Sequence, residues 1–451
     1  MAALLIEDTT IVTMNARREV ALGASLAIEG ERIAAVGPAG EVRARFPDAE
    51  AIDGRGKVLL PGLINCHTHI SMSLQRGTTL AVPEGLYRVM WPVEKSLTPE
   101  DCYVGALLGG AEALKAGSTT VVDHYFHMEE VARATTQLGL RGVLGHTIMS
   151  RLGPFTGERE LEEGIAFVRR WRGRHPLVIP RLAPHATDTV AREWLLRLRQ
   201  VASDEQVGLH LHLAQSQREQ AYIRETYGLG CVEYLHSLGF LGPDVMAAHC
   251  IYIHEREAEL LAQTGTHPLY CPTIHALGGH PQHAWELIGR GAAVVIGTDC
   301  VTANNVMDIV GELRVAGLAQ KQLTGDPEAM PAAKILEMVT VDAAQAIGMG
   351  DQLGSLAPGY LADMVLLDLQ GLHTTPNYSL LDNIVYCLNG RDVDTVIVGG
   401  RVVVRSHRLQ TADEEEIIRE GEARGRALMR RVLEKEQDLA WLWQSSHGQV
   451  P

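Results

Sequence analysis

The sequence predicts an α/β fold, a (β/α)₈ TIM barrel joined to a small composite β-sandwich domain. Two observations indicate the barrel. Eight short apolar runs alternate with longer amphipathic segments, and together they occupy about 300 residues, a size that suits such a barrel with insertions. Strand-like segments before and after this region indicate the sandwich. We expect the sandwich at residues 1–57 and 361–411, the barrel at 58–360, and a C-terminal helical tail at 412–451.

The elements of the sandwich and the tail follow from alternating apolar segments and turn signals. The tail is rich in Glu, Arg and Ala with helical spacing, and its helix is expected at residues 412–436. The sandwich strands are expected at residues 4–14, 25–29, 33–36, 362–369 and 393–404.

Each apolar run of the barrel region is followed by a helical pattern or a long loop, as a barrel requires. The barrel strands are expected at residues 58–64, 119–122, 142–144, 177–182, 207–213, 245–248, 268–271 and 292–296. Helices are expected at residues 99–116, 190–202, 232–238, 255–263 and 283–290.

Composition excludes several classes of protein. The 451 residues carry a formal net charge of −15, which argues against a nucleic-acid partner because phosphate contacts need clustered Lys and Arg. No apolar run is long enough for a transmembrane helix, and the N-terminal residues lack the basic start of a secretory signal. The seven cysteines are odd in number and form no Cys-x-x-Cys pair. We therefore expect a reduced, cytoplasmic protein without a membrane partner.

The strongest local motif is a His-x-His pair at the end of the first barrel run. Successive side chains of a strand alternate in direction, so His67 and His69 point to the same side. At the C-terminal mouth of a barrel, both imidazoles lie within reach of one ion.

Three more candidate ligands occupy strand ends. His212 lies at the end of an apolar run, and His249 and Asp299 follow theirs, at the position where barrel enzymes carry their chemistry. Together with His67 and His69, these candidates can supply three imidazoles and one carboxylate, a ligand set that suits Zn²⁺ or Fe²⁺ and leaves an open position for water. His210 faces the same side as His212 but one step deeper, which suggests a supporting role. No lysine follows the fourth strand to bridge two ions, so a single metal is favoured.

Four stretches of the chain resemble the amidohydrolase superfamily, specifically its mononuclear aminohydrolases. That branch includes cytosine deaminase, S-adenosylhomocysteine/methylthioadenosine deaminases and the triazine hydrolases. The stretches are residues 52–69, Gly297-Thr298-Asp299 with Asn304-Asn305, residues 356–363 and residues 396–401.

This resemblance implies a metal-dependent hydrolase of C–N bonds that deaminates a nitrogen heteroaromatic ring, such as an aminopurine, an adenosine-type nucleoside, a pterin or a triazine. It also implies one divalent metal, most simply Zn²⁺ with Fe²⁺ possible, a small heterocyclic substrate, and a dimer or tetramer. The alternatives are a dechlorinating or other C–X hydrolase, a hydrolase of a non-aromatic amidine or cyclic amide, and a non-catalytic metal-binding relative.

Carried over position by position, the resemblance assigns roles to individual residues. Asp299, besides binding the metal, would accept a proton from the attacking water, and His249 would hold that water and polarise the ring. The implied metal ligands are His67, His69, His212 and Asp299. The implied substrate contacts are Glu94, His185 and Asn304.

One position departs from the family in a way that affects the chemistry. Where the deaminases have a proton-transferring Glu three residues after the strand-five His, this chain has Gln215. An amide donates a hydrogen bond but cannot shuttle a proton, and loss of a general acid–base costs about 10²–10⁴-fold in rate. The proton role has moved to Glu219 or His185, or the leaving group needs no protonation, or the protein is a weak or non-catalytic relative. The seventh-strand stretch 270–275 and the residues after Asp299 also depart, which suggests a changed substrate.

Overall fold

Two β-sheets organise the chain in the computed structural model, which describes residues 3–80, 82 and 84–442. The strands are β1 (Leu4–Val12), β2 (Val20–Glu29), β3 (Arg32–Pro38), β4 (Glu50–Asp53), β5 (Lys57–Pro61), β6 (Leu63–Thr68), β7 (Ser118–Tyr125), β8 (Arg141–Ile148), β9 (Val178–Pro184), β10 (Leu209–Leu213), β11 (Val245–His249), β12 (His267–Tyr270), β13 (Val295–Ile296), β14 (Met364–Asp368), β15 (Val393–Val398), β16 (Arg401–Arg405) and β17 (Arg408–Leu409).

The α-helices lie mainly between the strands of the barrel. They are α1 (Ala39–Arg45), α2 (Trp91–Glu94), α3 (Pro99–Lys115), α4 (Met128–Leu138), α5 (Glu158–Trp171), α6 (Arg192–Glu205), α7 (Gln217–Tyr227), α8 (Cys231–Ser237), α9 (Glu255–Thr264), α10 (Pro272–Leu277), α11 (Ala284–Gly289), α12 (Ile309–Thr324), α13 (Ala332–Met338), α14 (Val341–Ala346), α15 (Leu380–Tyr386) and α16 (Glu414–Lys435). Within the described part of the chain, none of them combines the length and apolar character that a membrane crossing needs.

Strands β6 to β13 form a nearly closed parallel barrel in chain order, which confirms the predicted fold. Each of the eight predicted runs overlaps one of these strands. The ring closes where the backbone N–H of Asp299 donates to the carbonyl of His67 at 2.9 Å. A parallel bridge between Thr68 and Asp299 reinforces this closure.

Apolar side chains fill the barrel interior, as in other barrels of this type. Ile64, Val122, Val143 and Leu269 are all fully buried there. Helix α14 packs against β6 and β13 beside the start of the strands, where the N–H of Ile64 donates to the carbonyl of Val339. The carboxyl ends of the strands are therefore the open end, and loops at that end carry the functional side chains.

The prediction of one barrel strand at residues 58–64 is wrong, because the run is divided between the two sheets. Strand β5 pairs with β1 and β14, whereas β6 begins the barrel. The change occurs at Gly62, where a Cβ atom would lie 2.1 Å from Thr119 Oγ1. Only glycine therefore lets the chain pass this closely under β7. This pairing places residues 57–61 with the small sheet.

The prediction of one strand at residues 393–404 is also wrong, because the segment forms a hairpin. Gly399 and Gly400 have φ values of +54° and +74°. Two successive residues with positive φ form the tight turn that best matches the twist of a hairpin, and glycine adopts it without strain. Strands β15 and β16 pair antiparallel on either side of this turn.

The second sheet has the order β17-β16-β15-β14-β5-β1-β2-β3, with β4 beside β1. It therefore takes strands from both ends of the chain, as the sequence indicated. Helix α16 contacts α3 through an ion pair of Arg431 with the buried Asp101 and another of Lys115 with Glu414. The exact domain limits stay predictions, and the last residues of the predicted tail, 443–451, lie outside the described residues.

Candidate active site

The predicted metal ligands meet at the open end of the barrel. Ligand atoms of His67, His69 and His212 lie within 4.8 Å of one another, and so do those of His67, His249 and Asp299. The carboxylate of Asp299 lies 3.6 Å from His67 Nε2, 3.4 Å from His69 Nε2 and 3.9 Å from His249 Nε2. Strand ends of β6, β10 and β11 and the loop after β13 thus bring together residues that are distant in sequence.

Backbone carbonyls orient two of the imidazoles. His69 Nδ1 bonds to the carbonyl of His124, and His212 Nδ1 bonds to the carbonyl of His185 at 2.9 Å. A carbonyl only accepts, so each Nδ1 carries a proton, and Nε2 of the neutral ring keeps its lone pair. This is the arrangement that places a histidine ready to bind a metal through Nε2.

The third imidazole has an unpaired nitrogen at the centre of the cluster. His67 Nδ1 lies 2.9 Å from His210 Nε2, whereas His67 Nε2 is buried and has no hydrogen-bond partner among the described residues. Buried polar atoms are rarely left unpaired. An ion bound by the Nε2 atoms of His67, His69 and His212 and by the Asp299 carboxylate would satisfy this nitrogen, so the residues fit a divalent metal.

Electrostatics favour the metal-binding forms of these groups. Burial holds the pKa values of His67 and His212 well below the ordinary value, so both rings are neutral. Burial also opposes ionisation of Asp299, but its interactions with the surrounding histidines, above all His67 and His69, overcome it and hold the carboxyl pKa below its usual range. The cluster thus presents neutral rings at His67 and His212 and an ionised carboxylate, the forms that bind Zn²⁺ or Fe²⁺. Interaction with Asp299 raises the pKa of His69, so a metal would displace a proton from that ring.

The backbone is strained at two of the reactive residues. His249 has a φ of +77° and Asp299 a φ of +61°. Residues other than glycine adopt this region at a cost of about 1–3 kcal/mol, and such residues concentrate at functional sites. The N–H of Cys300 donates to Asp299 Oδ1 at 2.7 Å and helps to hold the carboxylate in place.

A cavity of about 670 Å³ opens beside the cluster. This volume suits a small organic ligand. Of the further residues predicted to act here, Gln215, Glu94 and His185 line the cavity. Apolar and aromatic side chains form much of the remaining wall, including those of Met72, Met90, Trp91, Tyr125 and Phe126.

Glu94 is a buried carboxyl group in this cavity, with 4% of its surface exposed. Burial raises its pKa to about 7, and a hydrogen bond with Tyr125 acts in the opposite direction. The group is therefore partly ionised near neutral pH, and the ionised form, which accepts hydrogen bonds strongly, increases as the pH rises.

The two residues considered as replacements for the missing acid, His185 and Glu219, differ in their position relative to the cavity. His185 lines the cavity, its Nδ1 lies 2.9 Å from Thr189 Oγ1, and burial lowers its pKa to about 3. Glu219 does not line the cavity. Its carboxylate accepts hydrogen bonds from the N–H of Gln215 at 2.9 Å and from Thr187, so it stabilises the loop at the start of α7. Because Glu219 is buried outside the cavity wall and bonded to Gln215 and Thr187, it is not placed to deliver a proton to a substrate.

The predicted substrate contact at Asn304 is not supported by its position. Its side-chain amide donates to the carbonyl of Thr298 at 2.6 Å and to the carboxyl of Glu312 at 2.7 Å, and it does not line the cavity. Glu312 is buried on α12, and burial raises its pKa to about 7. Asn304 therefore stabilises the loop that follows Asp299.

Comparison with known proteins identifies the family. The model of the amidohydrolase family matches residues 58–403, which is most of the chain. The chain belongs to the amidohydrolase family. A second model, that of the bacterial imidazolonepropionase-like composite domain, matches residues 26–49 of the small sheet.

Several deaminases are similar to the chain over nearly its whole length. The 5-methylthioadenosine/S-adenosylhomocysteine deaminase of Pelotomaculum thermopropionicum is 37% identical over 436 residues, which cover 96% of this chain and 100% of that protein. The 5'-deoxyadenosine deaminase of Methanosarcina mazei is 34% identical, with the same coverage. The family and these relatives together identify the chain as a hydrolytic enzyme that acts on C–N bonds.

Solved structures of amidohydrolases share the fold. An adenosine deaminase from Xanthomonas campestris with bound zinc superposes with a TM-score of 0.90 and 30% identity, covering 95% of this chain and 98% of that one. A triazine hydrolase from Arthobacter aurescens superposes with a TM-score of 0.85 and 25% identity, covering 94% and 100%.

Two further histidines of this amidohydrolase lie at the site, although the sequence predicts no catalytic, metal-binding or substrate-binding role for them. His124, at the end of β7, lines the cavity and neither of its ring nitrogens has a partner among the described residues. His275 lies on α10 and contacts His249. A signal for both exists, since His124 ends an apolar run and His275 lies four residues after another, in a stretch that departs from the family pattern.

Proposed function

We propose that this enzyme hydrolytically removes the amino group from the purine ring of an adenosine-type nucleoside, using one divalent cation, with Zn²⁺ favoured. The observation that carries the proposal is a buried carboxyl, Glu94, in the same cavity as the His67–Asp299 cluster. A cavity with a metal cluster and a separate buried hydrogen-bond acceptor suits a ligand with a reactive ring and a polar sugar. The names of the relatives at 37% and 34% identity support the same substrate class.

The sugar would be held by Glu94. A carboxylate has two oxygens and accepts two hydrogen bonds, so it matches the two adjacent hydroxyl groups of ribose. Its bond with Tyr125 orients the group, and Trp91 supplies a flat apolar surface in the same wall. A buried carboxylate is unfavourable unless its oxygens are hydrogen-bonded, and the ribose hydroxyls would add bonds to the one with Tyr125.

The chemistry follows from the groups around the cluster. A divalent cation held by His67, His69, His212 and Asp299 would lower the pKa of water to about 7 and so supply a nucleophile. Asp299, which is ionised, would accept a proton from the attacking water and return it to the departing amino group. His249 lies 3.9 Å from the Asp299 carboxylate, where it would donate a hydrogen bond to the attacking oxygen.

Gln215 would limit the rate of the proposed deamination. Its amide would donate a hydrogen bond to a ring nitrogen and stabilise the negative charge that develops there, but it would not transfer a proton. Neutral His185 would contribute another hydrogen bond in the same way. Turnover would therefore be slower than in a relative with a glutamate at this position, by about 10²–10⁴-fold at most.

The same residue favours a second candidate function. A halide or similar group leaves without protonation, so a ring carrying one would not need the missing acid. The Gln215 amide and the likeness to a triazine hydrolase structure support displacement of such a group as the alternative.

The test is product analysis of the metal-replete enzyme in isotopically labelled water. Adenosine, 5'-deoxyadenosine, 5'-methylthioadenosine and S-adenosylhomocysteine are incubated beside a chlorotriazine, and products are identified by mass spectrometry. The proposal expects release of ammonia and one labelled oxygen in the purine product. Turnover of the chlorotriazine alone would favour the second candidate, and turnover of none would contradict both. Light scattering of the same sample would test the expected dimer or tetramer.

A further inference from the structure

His275 contacts the ring nitrogen of His249 that does not face the Asp299 carboxylate. His249 Nδ1 lies 3.2 Å from His275 Nε2, and both side chains are buried. His249 ends β11, whereas His275 is on α10, just after the neighbouring strand β12. The two rings therefore belong to adjacent strand–loop units.

The surroundings of His249 hold its backbone as well as its ring. Its φ of +77° is rare for a residue with a side chain. Gln282 donates to the carbonyl of His249, and Gln320 donates to the carbonyl of Gln282 at 2.8 Å. A residue kept in a strained conformation needs such support, so the direction of the His249 ring is set by its neighbours.

The unpaired nitrogen of His275 decides which ring donates. His275 Nδ1 is buried and has no partner among the described residues. A buried N–H without a partner is rarer in proteins than a buried acceptor without one. The proton of neutral His275 is therefore assigned to Nε2, which donates to His249 Nδ1. Neutral His249 then carries its own proton on Nε2, and this atom faces Asp299.

We propose that His275 is a positioning residue for the reaction: its Nε2–H bonds to His249 Nδ1 and holds the His249 ring with its own Nε2–H facing the attacking oxygen. This inference rests on the proposed function, because that function gives His249 its role. It also has a consequence for the metal. A His249 ring that is protonated on Nε2 has no lone pair there, so it is not a ligand of the cation.

The same contact bears on a second possible ion. Ligand atoms of His249, Cys271 and His275 lie within 4.8 Å of one another, a spacing that could accommodate a metal. A hydrogen bond between the two imidazoles accounts for their closeness without an ion. The proposal therefore expects one bound metal per chain, and two would overturn it.

Two variants at one position separate positioning from packing. In His275→Gln, the amide nitrogen takes the place of Nε2 and still donates, whereas in His275→Met a side chain of similar length has no donor. We expect kcat to fall by about 10²-fold in the methionine variant with KM for the nucleoside nearly unchanged, and the glutamine variant to recover most of the loss. Both should keep one metal per chain. Equal losses in the two variants, or full activity of the methionine variant, would overturn the proposal.

A spectroscopic measurement tests the inference without turnover. Long-range proton–nitrogen correlations of histidine-labelled, metal-replete enzyme report which ring nitrogen of His249 carries the proton, with His249→Gln used to assign the signal. Protonation on Nε2 is expected, and protonation on Nδ1 would overturn the proposal. If no nucleoside were deaminated but this signal were found, the proposed function would fail while the arrangement of the two rings stood.

Discussion

His67 Nε2 lies 3.6 Å from Asp299 Oδ1 because the first and last strands of the barrel meet where the ring closes. The ligand set therefore includes residues from both sides of this closure and from β10 across the barrel. A cation bound there would link strands that are distant in sequence. A metal that binds only the folded chain, and not the unfolded one, stabilises the fold by mass action. The metal would therefore have a structural effect in addition to a chemical one.

Removal of the Asp299 carboxylate tests the metal site. We expect Asp299→Ala to lose bound metal, measured by elemental analysis of the purified protein, and to lose at least about 10²–10⁴-fold in activity because the proton acceptor is also gone. Asp48→Asn changes an exposed carboxyl and serves as the control. Full metal content together with full activity in Asp299→Ala would rule out the proposed site.

His210 provides a test of the support behind the ligands. Its Nε2 lies 2.9 Å from Nδ1 of His67, so His210→Leu removes the partner that orients this ring. Loss of such a partner lowers metal affinity by about 10–100-fold, and competition with a chelator of known affinity measures the change. The exposed His283 offers a matched control as His283→Gln. Equal affinities in the two variants would mean that His210 only fills space.

Much of this site could be predicted from the sequence, because a parallel barrel brings the ends of its strands to one face. His67, His212 and His249 each end or closely follow an apolar run, and the topology alone then places them together. Glu94 could be placed only by resemblance, since its position depends on how α2 packs over the mouth. His124 and His275 lie near the ends of apolar runs, but that position alone does not show which side chains face the cavity, so the sequence predicts no role for either.

The errors have the same physical origin. Continuous apolar character at residues 58–64 describes burial but not which sheet buries it, and the transition depends on the absence of a side chain at Gly62. The predicted substrate contact at Asn304 comes from its place after Asp299 in a family motif, and it stays a prediction. The loop instead directs its amide to Glu312, whose burial cannot be inferred from a single acidic residue in a helix.

The raised pKa of Glu94 predicts a pH-dependent KM. Burial raises this pKa to about 7, so the carboxylate that would accept the ribose hydroxyls is present above pH 7 and is lost as the pH falls. We expect KM for the nucleoside to rise by about tenfold per unit below this pH. A nucleoside that lacks the two adjacent ribose hydroxyls controls for titration of other groups, and its KM should depend less on pH. In Glu94→Gln, a KM that kept the wild-type pH dependence would exclude Glu94 as the cause.

A buried ion pair joins the barrel to the small sheet and predicts a large effect on stability. Arg141 and Asp363 form two hydrogen bonds of 2.8 and 2.9 Å with almost no exposure. Asp363→Ala leaves the guanidinium buried without its partner, which costs about 3–5 kcal/mol of unfolding free energy. Urea denaturation at fixed metal concentration measures the loss. The exposed pair of Arg55 with Asp53 is the control, and Asp53→Ala should leave the midpoint unchanged.

Gln215 gives the sharpest test of how the proposed deamination is limited. A glutamate at this position could exchange a proton with the ring nitrogen, so Gln215→Glu is expected to raise the rate of ammonia release from the nucleoside by about 10- to 10²-fold. Gln215→Met removes the amide from the cavity without adding an acid, and it should lower the rate. Steady-state ammonia assays at saturating substrate compare the three enzymes. A fall in both variants would show that the amide itself is required and that proton transfer to the ring does not limit turnover.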